Sequence, residues 1–410
     1  MRILTFSAYF TPEIAASMYL TEDMLEGMAK AGHYVEMYVP MPCRGVSDQV
    51  RKKYLKNKKE VRYNGHLVIH RFYLYKEGKR TLTRALRYML LNFIFLWKGI
   101  ITKTDVIFAQ STPPTQGMMA GLLSVLKKKP FVYNLQDIFP DSLVNSEMTS
   151  KESVVWKIGR VIENYGYRHA TKIIVISEDF KKNIMKKGVP EEKIVVVPNW
   201  ADVKGVHSVK RKNNILIERY ELDPDKFYIT YCGNIGFTQN MDMLLDVAKL
   251  VETEMPDVRF LLIGEGAAKK GVVDRIGTEK INNVITLPFQ PYEDIAHVFS
   301  LGDVGLIISK PGVGNNSVPS KTWSIMAAGR PILASFDSDS ELSKLIKSSE
   351  CGLCAEAGNK EQLIEQIRNF ISSPEQRNRM GENGKKYIEN NLSKEKCVSE
   401  YIKVIEKAKG

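Results

Sequence analysis

Short apolar runs that end in glycine-containing or polar turns alternate with longer amphipathic stretches along nearly the whole chain. Runs at 2–7, 34–39, 68–72, 105–109, 131–135, 172–176 and 194–197 read as strands, and the stretches 17–31, 81–101, 117–126, 156–169 and 177–187 read as helices between them. A second series follows after a segment rich in Lys, Asn and Asp at 201–225, with strands at 227–231, 259–264, 284–287, 304–309 and 332–335. Helices at 241–253, 294–300, 340–348 and 358–371 wrap these, and 375–409 is helical with breaks expected near Gly381, Gly384 and Ser393. The fold class is α/β, two doubly wound Rossmann-like domains in tandem. The first spans 1–205 plus a returning C-terminal helix at 392–410, and the second spans 206–391. Residues 43–60, basic and polar, read as a mobile surface loop.

Two stretches depart from this regular pattern. In the helix at 81–101, Leu82, Ala85, Leu86, Met89, Leu90, Phe93, Trp97 and Ile100 share one face, Leu91 and Phe95 lie opposite, and Arg84, Arg87 and Lys98 flank them. That composition suits a helix lying in a bilayer interface and equally a helix buried in a core. The second stretch, 310–331, runs from one apolar strand to another as polar loop and helix, with Ser320 expected as helix cap, Lys321 in the first turn, and Gly329 and Pro331 ending it. Lysine opposes the positive end of a helix dipole unless an anion sits there, and the loop adds backbone N–H groups, Asn315, Asn316 and Ser317, a set suited to a diphosphate. An ordinary capped helix with a solvated lysine is the alternative.

At 410 residues with 44% hydrophobic and 26% charged content, the chain has room for two domains. Its net charge of +12 is concentrated in the first third, around 44–62, 76–87 and 127–129. Such asymmetry fits an anionic partner, nucleic acid or membrane surface, or simply solubility. Five cysteines form no disulfide framework, and Cys351 and Cys354, although spaced as CxxC, lack a second pair or a nearby histidine and read as small core residues in a reducing compartment. Residues 1–10 read as a first strand and not as a signal peptide, and no apolar run reaches the roughly 20 residues of a membrane span.

Ligands bind open α/β sheets beyond the carboxyl ends of the strands, so the loops there carry the candidate chemistry. After the first strand, Ala15, Ala16 and Ser17 would let a ligand approach the following helix, or are plain turn residues. Beyond the strand at 131–135, Asp137 is read as functional and Asp141 as a cap for the next turn. In the second domain the turns at Gly233, Asn234, Gly236 and Gln239, at Gly264 and Glu265, and at Phe289 hold the same position.

The motifs YFTPE after the first strand, GHYV at 32–35, DIFPDS at 137–142, VPNW at 197–200, CGNIG at 232–236, IGEG at 263–266 and PSKTWSIMAAGRP at 319–331 occur in one order along the chain. As a set they resemble glycosyltransferase family 4, of the GT-B fold, and within it a polysaccharide-biosynthesis subgroup similar to N-acetyl-L-fucosamine transferases. The resemblance implies two Rossmann-like domains with a cleft between them and retaining transfer of a sugar from a UDP-sugar to a lipid-linked saccharide in O-antigen or capsule synthesis. It implies no cofactor, no metal and no nucleic acid, and a cytoplasmic enzyme peripheral on the inner face of the cell membrane, where an anionic surface is a partner.

On this basis the catalytic candidates are Asp137, Gln136 and Lys321. Gln136 stands where the family has a loop histidine. Donor contacts fall to Gly233, Asn234, Gly236, Gln239, Gly264, Glu265, Phe289, Asn316, Ser317, Ser320, Lys321, Ser324 and Asp339, the last in a capping loop near the donor sugar. Acceptor contacts fall to Ala15, Ala16, Ser17, Thr112 and Asp141. The paired glutamates of the family's E-x7-E pattern correspond to Asn316 and Ser324, and Asn234 and Gln239 occupy the region of the usual basic pair, so Lys321 is left as the cation for the leaving diphosphate. A nucleotide-sugar epimerase of the same fold, or a catalytically dead membrane scaffold, are the competing readings.

Overall fold

The computed structural model describes residues 1–13, 18–76, 81–145, 149–313 and 318–409, and the chain divides into two compact units, 1–199 with 395–410, and 200–394. The first unit runs β1 (Arg2–Phe6), α1 (Met18–Lys30), β2 (Tyr34–Pro40), α2 (Asp48–Lys56), β3 (Lys59–Arg62), β4 (Leu67–Phe72), α3 (Thr81–Ile101), β5 (Val106–Gln110) and α4 (Thr115–Lys127). It continues through β6 (Phe131–Leu135), α5 (Asp141–Asn145), α6 (Val154–His169), β7 (Lys172–Val175), α7 (Glu178–Lys186) and β8 (Ile194–Val196). Its sheet has the order β3-β4-β2-β1-β5-β6-β7-β8, parallel except for the β3 edge, which pairs antiparallel with β4. The chain moves outward from β1 on one side and, through α3, restarts at β5 on the other. That places the topological switch at the carboxyl ends of β1 and β5, the position where such sheets hold ligands.

The second unit comprises α8 (Ile215–Arg219), β9 (Phe227–Cys232), α9 (Met241–Glu254), β10 (Val258–Ile263), α10 (Lys269–Glu279), β11 (Val284–Leu287) and α11 (Ile295–Phe299). Then come β12 (Val304–Ile308), α12 (Lys321–Ala327), β13 (Ile332–Ser335), α13 (Glu341–Ser349), β14 (Gly352–Ala355), α14 (Lys360–Ser372) and α15 (Pro374–Asn391). The sheet order β11-β10-β9-β12-β13-β14 switches between β9 and β12. Its pairings are all parallel, and β9, β10, β12 and β13 are buried almost throughout, as a sheet covered on both faces requires. α16 (Lys394–Lys409) rejoins the first unit, where a Cβ on Gly27 of α1 would lie 2.2 Å from Val398.

Several expectations are corrected. Residues 43–60 are anchored: Ser47 accepts the N–H of Val50 as the cap of α2, and Arg51, 7% exposed, donates to the carbonyls of Pro42 and Leu74. A basic residue count cannot show that one guanidinium is spent on backbone. β3, α10 and β14 were unforeseen, the last because Cys351-Gly-Leu-Cys354 is too short a run to stand out from core residues. In α3 the face of Leu91 and Phe95, with Arg87, is the buried one, while Leu86, Met89, Leu90, Phe93, Trp97 and Ile100 are exposed. The larger apolar stripe therefore points away from the core.

The glycines of the tail do not break it. α15 passes through Gly381 and Gly384 without interruption and ends before Ser393. They exist for contact: a Cβ on Gly381 would sit 2.3 Å from the carbonyl oxygen of Gly329, and one on Gly384 would sit 3.3 Å from Met326 and 3.4 Å from Cys351. Gly381→Ala must therefore push α15 off the end of α12, and overpacking of this kind costs about 1–3 kcal/mol. The expected outcome is a lower thermal midpoint by calorimetry, with the Gly271→Ala control, whose Cβ meets open space, not lowered.

Candidate active site

At the switch point of the second unit, β9 ends at Cys232 and turns at Gly233 (φ +135), while β10 ends at Ile263 and turns at Gly264 (φ +153) and Gly266 (φ +159). The two turns lie directly against each other. A Cβ on Gly264 would be 1.9 Å from the Gly233 carbonyl oxygen, and one on Gly266 would be 2.2 Å from that of Ile235. Only glycine fits both the torsions and the approach. Backbone bonds then lock the pair, Gly233 N to Ile263 O at 3.0 Å and Ile235 N to Glu265 O at 2.8 Å. The loop after β12 is tied in by Lys310 N to Thr238 O at 2.9 Å, and Gly312 N donates to Asp337 Oδ1 at 2.9 Å.

Lys321 enters this arrangement from the first turn of α12. Its Nζ stands 3.7 Å from the centroid of the Tyr231 ring, and a Cβ on Gly233 would lie 3.3 Å from it. Burial pulls its pKa down to about 8. The adjacent Cys232 thiol, pushed up to about 12 by burial, is neutral and gives no countercharge. The aromatic face is a partial partner, worth about 2 kcal/mol when desolvated. Tyr231 also braces the turn by donating its hydroxyl proton to the Asn234 carbonyl. Tyr231 was not singled out from the sequence, where a tyrosine two residues before a glycine turn was the available signal, and Asp337 was read there only as part of the capping loop with Asp339.

The other donor candidates divide. Ser320 does not cap α12: its backbone is helical (φ −58, ψ −28) and its side chain makes no capping hydrogen bond. It is exposed beside Lys321, and Ser324 follows one turn later, half-buried. Asn234 is exposed at the turn, and Phe289, 68% exposed, offers a ring beyond β11 on the same sheet edge. Glu265 is exposed and paired with Lys269 at 2.6 Å. Gln239 is a correction, because its Oε1 accepts the Gly236 N–H at 2.9 Å and its Nε2 donates to Thr238, so its amide shapes the turn. Asp339 is exposed in the turn before α13, whose cap is Ser340. Asn316 and Ser317 lie outside the described residues.

In the first unit, Glu13 accepts N–H groups of Phe10, Cys43 and Arg44, joining the loops after β1 and β2. Ser111, after β5, accepts the N–H groups of both Gln136 and Asp137, at 3.0 and 3.1 Å. Gln136 is not available for catalysis. Its Nε2 donates to Asn134 at 3.0 Å and to the Tyr401 hydroxyl at 3.3 Å, and its Oε1 accepts from Asn199 at 2.8 Å, so it fastens α16 to the sheet. Asp137 differs. It keeps an exposed side chain while accepting from Ser142 and from the Ile138 N–H, and the protein packed around it raises its pKa, with Asp141 adding to the rise. Asp141 is not a cap: it lies within α5, pairs with Lys187 at 2.7 Å and accepts from Asn183 at 3.2 Å, so its carboxylate is engaged within the unit. Thr112 is exposed next to Ser111, and Ala15, Ala16 and Ser17 lie outside the described residues.

Residues 19–204 match the model of Glycosyltransferase Family 4, and residues 212–387 match that of Glycosyl transferases group 1. The chain is a family 4 glycosyltransferase. Among similar proteins, the putative colanic acid biosynthesis glycosyl transferase WcaI of Escherichia coli (strain K12) is 25% identical over 98% of this chain and 99% of its own length. The probable glycosyltransferase WbjE of Pseudomonas aeruginosa is 26% identical over 67% of this chain and 68% of its own. Anabaena Alr3699/HepE, crystallised in complex with UDP, superposes with a TM-score of 0.73 at 14% identity, covering 99% of this chain and 100% of that one. WaaG, a glycosyltransferase of lipopolysaccharide biosynthesis, does so at 0.68 and 13%, covering 98% and 99%. Such neighbours fix the fold of the glycosyltransferase as GT-B.

The Asp141 pair supplies a check on these assignments. Burial raises the Asp141 pKa, but the hydrogen bond and charge of Lys187 outweigh it and hold the pKa below the usual carboxylate value. A depressed folded pKa contributes stability above the unfolded pKa, and that contribution is lost as pH falls through the folded pKa. Asp141→Asn should therefore melt lower than the parent at pH 7, by the equivalent of about 1.5–3 kcal/mol. The gap should close below about pH 4, as thermal melts from pH 7 to pH 3 would show.

Proposed function

We propose that this glycosyltransferase moves a sugar from a UDP-sugar, with retention at the anomeric carbon, to a lipid-linked saccharide during assembly of a cell-surface polysaccharide such as capsule or O-antigen. The observation that carries the reading is the Lys321 ammonium, half-buried over Tyr231 beside the Gly233 turn and without a carboxylate partner among its described contacts. A group held in that state gains most from an anion, and phosphate oxygens supply one. The HepE structures with UDP and with UDP-glucose support a UDP-sugar as donor, and the colanic acid and capsular polysaccharide relatives support the product class. N-acetyl-L-fucosamine or a related amino sugar is the donor we favour for a first panel of UDP-sugars.

In this scheme the bond from the anomeric carbon to the diphosphate oxygen breaks, and an acceptor hydroxyl bonds to that carbon from the same face. Lys321 and the N–H groups at the turns stabilise the charge on the departing diphosphate, which is the main electrostatic task, and the scheme assigns no step to a metal. Asp137, whose raised pKa makes its carboxylate a better base, holds the acceptor hydroxyl or takes its proton. A lipid-linked acceptor sets the enzyme on the inner, anionic face of the cell membrane. The exposed apolar stripe of α3 supports that placement, and no helix among the described residues is long and apolar enough to cross a membrane.

Two measurements test the scheme. Lys321→Ala should weaken UDP binding at least about tenfold by calorimetry. Because only the ammonium form attracts phosphate, parent affinity should be level below pH 8 and fall above it, where UDP is fully ionised, whereas Lys321→Ala should show no such fall. Unchanged affinity in the variant would remove the diphosphate assignment. Asp137→Asn should lose most transfer, about 100-fold or more, with UDP affinity and melting temperature close to parent. Conversion of the UDP-sugar without any acceptor would instead identify an epimerase.

A further inference from the structure

Of the five cysteines, four are held toward the unreactive thiol. Burial raises the pKa of Cys351 and Cys354 and pushes those of Cys232 and Cys397 up to about 12 and about 11. Cys354 also donates its S–H to the Ala355 carbonyl at 3.5 Å, which suits the neutral group. Cys43 is placed differently. It is half-buried in the loop after β2, and its sulfur accepts a hydrogen bond from Nη2 of Arg87 on α3 at 3.4 Å. A guanidinium donating to sulfur favours the thiolate, the form that reacts.

The Arg87 side chain points to what that sulfur takes up. Arg87 is 1% exposed; its Nε donates to the Tyr75 carbonyl at 3.1 Å, its Nη2 donates to Cys43, and its Nη1 is buried with no partner. Neither contact is a carboxylate, and a buried cation left without an anion is less stable than a packed apolar side chain of similar volume. The surroundings supply no anion. Glu13 reaches this loop, but its oxygens accept the N–H groups of Phe10, Cys43 and Arg44, and Asp48 of α2 pairs with Lys76. Arg51 donates to the Pro42 and Leu74 carbonyls, and Arg44 lies over the Tyr9 ring at 5.4 Å, so the charge around the thiol is mainly positive. The two Nη atoms of a guanidinium share one carbon and one plane. An oxygen bonded to the Cys43 sulfur therefore comes within reach of the unpartnered Nη1 while the sulfur keeps its bond to Nη2.

We propose that Cys43 is a modification site for hydroperoxides and that Arg87 is the positioning residue that holds the oxygenated sulfur. The thiolate sulfur attacks one peroxide oxygen, so the S–O bond forms as the O–O bond breaks. Sulfur gives up two electrons, and the peroxide is reduced to hydroxide or alkoxide, which takes a proton from water. The product is a sulfenic acid whose oxygen accepts from Nη1, and a thiol reductant returns it to the thiol.

The test exposes the full chain to hydrogen peroxide with dimedone as the sulfenic acid trap and follows each cysteine by mass spectrometry. Cys43 should be labelled at least about tenfold faster than Cys232 or Cys354, which are also half-buried and so control for accessibility. Equal rates at the three positions, a result that needs no variant, would overturn the site. Arg87→Lys keeps the charge and removes the fork. It should slow peroxide labelling of Cys43 about tenfold, while alkylation by iodoacetamide, which adds no oxygen to sulfur, slows much less. A variant that meets peroxide as fast as the parent or faster, or that slows with both reagents equally, would overturn the role of Arg87.

Discussion

The carboxyl edge of the second unit's sheet depends on one close approach, that of Gly264 to the carbonyl oxygen of Gly233. A Cβ placed 1.9 Å from that oxygen is impossible, so any side chain here would part the turns after β9 and β10. With the turns together, the end of β9 is open enough for Lys321 to reach Tyr231 from α12. The switch between β9 and β12 creates the opening, since neighbouring crossovers leave to opposite faces of the sheet. Glycine, switch point and lysine are thus one feature seen at three scales.

That feature bears on the glutamates this chain lacks. The corresponding positions are Asn316 and Ser324, and Ser324 lies on α12 one turn beyond Ser320. A carboxylate at 324 would stand on the same short helix as Lys321, three residues along. Without it, the depression of the lysine pKa from 10.5 to about 8 amounts to about 3 kcal/mol against charging at that place. An arriving diphosphate can recover that amount. In the proposed scheme, the absence of a carboxylate therefore makes this cation more dependent on an anionic ligand.

The sequence showed the two α/β units and most element boundaries, because buried parallel strands and amphipathic helices have distinct periods; the strands at 131–135, 284–287 and 332–335 and the helix at 81–101 agree to the residue. What it could not show was direction. α3 has an ordinary amphipathic pattern, yet the smaller face of Leu91 and Phe95 is the buried one, since burial follows from what the sheet offers and not from which stripe is larger. The glycines of α15 looked like breaks because local propensity was the only information; their partners, Gly329 and Met326, are more than fifty residues away along the chain. Arg51 was counted among surface charges for the same reason.

Gln136 and Asp137 show how far positional likeness carries. They are consecutive, both N–H groups bond to Ser111, and both were read as catalytic. The extended chain leaving β6 alternates its side chains, so one turns inward to Asn134, Tyr401 and Asn199 and the other outward to solvent. Gln136 thus holds the returning helix in place, and the neighbouring Asp137 is left facing solvent. Asp141, four residues on, is removed from the same role by a different force, the Lys187 charge that keeps it ionised and engaged. Among these three polar side chains only Asp137 combines solvent contact with a raised pKa. That combination is why the proposed scheme gives the acceptor chemistry to Asp137, its neighbours being already committed to structure.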